Sequence, residues 1–227
     1  TGSAQNMSSM FNGCVKVKNL DVSNWDTKNV QNMDSMFRDC VRLESIDVSK
    51  WNTRSLENMN ALFYNCNLIP EIDAKNWNTS NLRTATHVFY NCTGLTKIDL
   101  GSWDTTRLEN TSSMFDNCSH VRVIDLNNWD VTTLTQYTGM FNNCNELYEI
   151  YTPKIIPSGK DIVLPASDYR DIDKPEERKT EYATLKNSAQ QRHIFRGIFI
   201  LFNVLQSLNS IINTWMSREK TCFLFAI

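Results

Sequence analysis

The stretch NWDTKNVQNMDSMFRDC, Asn24 to Cys40, is answered further along by GSWDTTRLENTSSMFDNC, Gly101 to Cys118, and its landmarks recur through most of the chain. Cys14, Cys40, Cys66, Cys92, Cys118 and Cys144 stand 26 residues apart. Trp25, Trp51, Trp77, Trp103 and Trp129 keep that interval, as do Phe11, Phe37, Phe63, Phe89, Phe115 and Phe141. So do the aspartates Asp21, Asp47, Asp73, Asp99 and Asp125. Residue types sharing one period define an internal repeat, and a unit this short buries its apolar side only by stacking on its neighbours.

Two shorter periods lie inside each unit. In Leu43-x-x-Ile46-Asp47-Val48 the apolar residues Ile46 and Val48 alternate with Asp47, which suits a short strand with one buried face. Downstream, Val30, Met33, Met36, Phe37 and Cys40 fall at offsets of three and four, which predicts a short helix, with Asp26 and Thr27 as its N-cap chemistry. The expected fold is therefore an α/β solenoid, a stack of strand–turn–short-helix units. Its strands would form a parallel sheet at about 4.8 Å spacing, with the helices packed behind.

The L-x-x-I-x-L-x-x-W run follows the leucine-rich-repeat template, with Trp where that template has Asn or Cys. Together with the two stretches quoted above, it resembles the 26-residue repeats of BspA-like leucine-rich-repeat bacterial surface proteins, the DUF285 group, over about residues 6–152. A weaker likeness to the post-repeat segment of that group covers Tyr151 to Lys154, Leu164-Pro165 and Tyr182 to Asn187. The resemblance implies a cell-surface or secreted protein acting in adhesion or host interaction. Periodicity by itself implies only a solenoid.

The units are not equally regular. Leu62 and Val88 replace the Met before Phe, Pro70 interrupts the approach to the third strand, and Ala74 stands where Val or Leu is expected. After Cys144 the sixth unit keeps Leu147-x-x-Ile150 and then stops, without Trp or helical pattern. Whatever follows must cover the exposed end of the stack. Three segments result: the solenoid over 1–152, a Pro-rich cap or linker over 153–191 with short strands around Ile162–Leu164 and Tyr182–Leu185, and a tail over 192–227. In the tail, Ile198, Leu201, Phe202, Leu205, Leu208, Ile212, Trp215 and Met216 share one face of an amphipathic helix. Docking of that helix on the last repeat is favoured over a membrane interface, and its polar face argues against a spanning role.

Charge divides the same way. Residues 1–152 carry 12 Lys/Arg against 17 Asp/Glu, while 153–227 carry 11 against 8. No dense basic patch advertises nucleic acid. The chain opens on Thr1-Gly2-Ser3-Ala4, which reads as a processed product or a fragment.

Each repeated column has more than one reading. The cysteines read as small apolar core residues in preference to disulfides or a metal site, since stacked neighbours fit S–S geometry poorly and no C-x₂-C occurs. The Trp column reads as inward core in preference to an aromatic platform. Asp21, Asp47, Asp73, Asp99 and Asp125 must face solvent, and they are the candidate binding face. Stacked carboxylates repel by ~1 kcal/mol per neighbour in water. Either local bonds to the following turn or a Ca²⁺ or cationic ligand offsets that, and local bonding is preferred.

Catalytic motifs are missing: no G-x-S-x-G, P-loop, H-E-x-x-H or G-x-G-x-x-G appears, and His87, His120 and His193 share no motif. The expectation is a non-catalytic protein without cofactor or metal, binding a protein or glycan through the solvent face of its sheet. A structural spacer is the alternative, and a hydrolase of surface polymers a distant third. The residues before Ile on the strands vary (Asn19, Ser45, Glu71, Lys97, Val123), which leans toward binding.

Overall fold

The structure is a computed structural model that describes residues 1–157 and the short strands at 162–163, 169–171, 178–179, 184–185 and 194–197. On the strand side, β1 (Asn19–Leu20) pairs in parallel with β2 (Ser45–Ile46). β3 (Lys97–Asp99), β4 (Val123–Asp125) and β5 (Glu149–Tyr151) form a second parallel ladder in which Asp99 lies opposite Asp125. The ladder breaks at the third unit for a simple reason. Glu44, Thr96, Arg122 and Tyr148 each donate a backbone N–H to the unit before, and Pro70, in the same register, has none.

The structure corrects one expectation outright: among the described residues no α-helix forms. Residues 33–40 are a run of tight turns. The N–H groups of Met36, Arg38 and Cys40 bond to the carbonyls of Met33, Ser35 and Phe37. The alternate N–H groups, from Met33, Ser35, Phe37 and Asp39, instead reach Asn58, Asn60, Leu62 and Tyr64 of the next unit at 2.8–2.9 Å. The first, third, fourth and fifth units repeat this turn ladder, and the sixth keeps its local turns.

Two physical facts exclude the helix. Packed helices need about 8–10 Å between axes, whereas consecutive Phe rings of this stack are 5.4–6.1 Å apart. Each unit also places two residues at positive φ, such as Ser35 (55°) with Asp39 (59°) and His87 (55°) with Asn91 (56°), at the third position of turns. The apolar stripe nonetheless faces the core, since Val30, Met33, Met36, Phe37 and Cys40 are all buried.

The N-cap reading falls with the helix. Thr27 is buried instead, and Thr1, Thr27, Thr53, Thr79 and Thr105 donate their hydroxyls to carbonyls of the next unit at 2.9–3.1 Å. Asp26 turns its carboxylate to the Lys28 N–H at 3.3 Å.

The core is a set of columns. Phe37, Phe63, Phe89, Phe115 and Phe141 stack nearly parallel, as do Trp51, Trp77, Trp103 and Trp129. Buried indole N–H groups need acceptors. These four find one 29 residues back, in the carbonyls of Val22, Val48, Ala74 and Leu100 at 2.9–3.1 Å. Each fully buried ring contributes roughly 1.5–3 kcal/mol.

The end of the stack is closed by reversal. Ile155, in the Trp register, pairs with Trp129 and Val131 through its backbone. β6 (Ile162–Val163) pairs antiparallel with β9 (Thr184–Leu185), and β7 (Tyr169–Asp171) with β8 (Arg178–Lys179). β10 (Ile194–Gly197) lies antiparallel between β5 and β7, so the edge that a further parallel unit would use on β5 is taken. The amphipathic pattern at 198–216 lies outside the described residues.

Candidate binding faces

On the strand face, Asp21, Asp47, Asp73 and Asp99 are exposed and Asp125 is half-buried, all on the solvent side. Each carboxylate is engaged by its own following turn. The backbone N–H of Ser23, Ser49, Lys75, Gly101 and Asn127 donates to it at 2.9–3.4 Å. Ser23 and Ser49 add hydroxyl bonds of 2.7 Å. These bonds hold the carboxyls of Asp21 and Asp47 below the usual range, hydroxyl first and amide second, and they outweigh the opposing charge of Asp47 on Asp21. The local offset to repulsion is therefore built into the turn. Among the described residues no group of three or more His, Cys, Asp or Glu is arranged to hold a metal ion. Beside this constant column, Asn19, Ser45, Glu71 and Lys97 are exposed and Val123 is half-buried.

The turn ladder presents a second face. One register of it reads Asn12, Arg38, Tyr64, Tyr90, Asp116 and Asn142. The Arg38 guanidinium lies 4.5 Å over the Tyr64 ring, and Tyr64 stacks on Tyr90 at 4.6 Å with the planes 8° apart. His87 leans against both rings, at 6.2 and 5.5 Å. Beneath them runs an amide ladder: Asn65 donates to Asp39 at 2.5 Å, Asn91 to Asn65 at 2.8 Å, and Asn117 to Asn91. Sequence reading missed this strip. Its only signal is a Tyr repeated once, at 64 and 90, in a register that is polar elsewhere.

Cys40, Cys66, Cys92, Cys118 and Cys144 are free and buried, and each thiol donates to a Phe carbonyl 29 residues back, at 2.9–3.2 Å. Burial pushes all five thiols up, Cys40 to about 11 and Cys92 to about 12. Such groups do not form thiolate nucleophiles at neutral pH. His120 sits 3.3 Å from the Ser119 hydroxyl, but the same Nδ1 lies 2.7 Å from the Thr93 carbonyl. A carbonyl only accepts, so Nδ1 carries its proton and takes none from Ser119. The pair is not a nucleophile and base. Among the described residues no helix is long and apolar enough to cross a membrane. His193 and Cys222 lie outside them.

The family described as "Mycoplasma protein of unknown function, DUF285" matches residues 1–96 and 47–152. Among solved structures, a leucine-rich repeat protein from Bacteroides ovatus is similar at 17% identity and a TM-score of 0.37, over 65% of this chain and 40% of that one. The chain thus spans less than half the length of that protein. No curated protein matches it.

Proposed function

The chain belongs to the DUF285 family, and from that premise we propose that it is a non-catalytic, cell-surface or secreted binding protein. Its role is adhesion, and the strand face contacts a protein or glycan ligand. One observation carries the reading. On a ladder whose aspartates are fixed by their own turns, the neighbouring exposed positions differ from unit to unit: Asn19, Ser45, Glu71, Lys97. Specificity needs such variation on a rigid support, because recognition of one partner over another is a difference between contacts. A spacer that only projects another domain has no use for it.

The test is adhesion of the full chain to panels of extracellular proteins and glycans. The reading expects Glu71→Ala with Lys97→Ala to weaken whatever binding is found and to leave the fold intact. Undiminished binding in the double variant would move the contact off this face. Hydrolysis of cell-wall or glycan substrates by the purified chain would overturn the non-catalytic reading.

A further inference from the structure

Tyr90 uses only one ring face in the stack with Tyr64. The planes are nearly parallel, so the other face looks along the register toward Asp116 of the next unit. Among the described residues no stacked ring and no cation covers it. The far end of the same stack shows what such a face accepts. There the Arg38 guanidinium covers Tyr64 at 4.5 Å while its Nε donates to Asp39 at 3.3 Å, a planar cation held between an aromatic face and a carboxylate. At the Tyr90 end the carboxylate is Asp116, half-buried and steadied by the Asn143 amide at 3.1 Å and the Ser113 hydroxyl at 3.5 Å. Both ingredients are present and the guanidinium is not.

We propose that Tyr90 and Asp116 form a receptor site for an arginine side chain of a partner protein. The fold does not require tyrosine here, because Asn12 and Asn142 fill the same register in other units. Charge favours the same occupant: the repeat region carries 17 acidic against 12 basic residues, which attracts a basic partner and repels a polyanion. Guanidinium fits better than ammonium because it stacks flat on the ring while its N–H fork meets the carboxylate. The supporting wall is rigid, since the N–H of Asn91 and His87 and the Asn117 amide tie this unit to the next. The site lies on the turn face and stands apart from any ligand of the strand face.

The experiment follows the aromatic NMR signals of Tyr90 in the full chain during titration with three probes. These are a short arginine peptide with neutral flanks, its citrulline counterpart, and a neutral hexose oligomer. The arginine peptide alone should shift Tyr90, and added salt should weaken the effect. Read from the arginine signals of the peptide, which do not depend on the tyrosine, Tyr90→Asn and Asp116→Asn should each weaken binding by about two- to fivefold while the chain still melts cooperatively. Replacing Asp47, Asp73 and Asp99 with Asn should leave the arginine response in place, which separates this site from the strand face. Equal response to citrulline, capture of Tyr90 by the hexose oligomer, or no Tyr90 shift with arginine would overturn the proposal.

Discussion

The strand side and the turn side of each coil come from the same 26 residues, yet they hold the stack together very differently. On the strand side the elements are two or three residues long, and the ladder lapses at Pro70. On the turn side four backbone bonds cross every junction, from Met7, Ser9, Phe11 and Gly13 at the first to Thr111, Ser113, Phe115 and Asn117 at the last. The turn ladder, with the Phe and Trp columns behind it, carries the cohesion. The strand side therefore tolerates a proline and a changing outer face. Cohesion and outer-face variation are divided between two sides of one coil.

That division breaks most visibly with proline and with large core deletions. Trp103→Ala or Phe89→Ala removes a buried ring that both sides share and should cost about 3–5 kcal/mol, read from denaturant midpoints. Asn91→Pro should cost more than about 3 kcal/mol, because Asn91 sits at positive φ and proline is held near −65°. Thr96→Pro, in the register where Pro70 is already accommodated, removes one strand-side bond and should cost only about 1 kcal/mol. Equal losses for the two prolines would mean that the sides contribute alike.

The thiols sharpen the turn-side picture. In the native chain Cys40, Cys66, Cys92, Cys118 and Cys144 should resist thiol reagents at neutral pH and react on unfolding, and a reducing agent should leave the melting temperature unshifted. Their folded pKa values are raised by burial. The stability they contribute is thus fully present below the unfolded thiol value, about 8.5, and is lost as pH climbs from there toward the folded values near 11 and 12. Thermal melts from pH 7 to 10.5 should show that decline, and Cys92→Ala should make it shallower.

The smallest effect belongs to the strand face. Asp21 and Asp47 are held below the usual carboxyl value, so their contribution is present above pH about 4 and fades as pH falls through the depressed folded value. Ser23→Ala with Ser49→Ala should lower the melting temperature slightly at pH 7, by an amount that shrinks as pH falls below about 4. Asn at 47, 73 and 99 together should leave stability nearly unchanged, with or without added Ca²⁺. A Ca²⁺-dependent rise in melting temperature, lost in that variant, would make the column a cation site after all.

Much of this architecture was legible in the residues. The period, the inward Phe, Trp and Cys columns, the outward aspartates and the lapse at Pro70 all follow from spacing and from proline's missing N–H. The turn ladder did not follow, because apolar offsets of three and four are common to a helix and to a chain of turns. What separates them is the distance between stacked units, 5.4–6.1 Å between Phe rings, a quantity that exists only once the coils are assembled. The same holds for Thr27, whose cap-like sequence context hides a bond to Asn52, and for the Cys and Trp bonds that span 29 residues. It holds too for the second face of Tyr90, which no stacked ring or cation among the described residues covers. Composition and period determined which residues turn inward and how often. Only the stacked structure decided which backbone groups meet, since hydrogen bonds between units depend on a spacing that no single unit possesses.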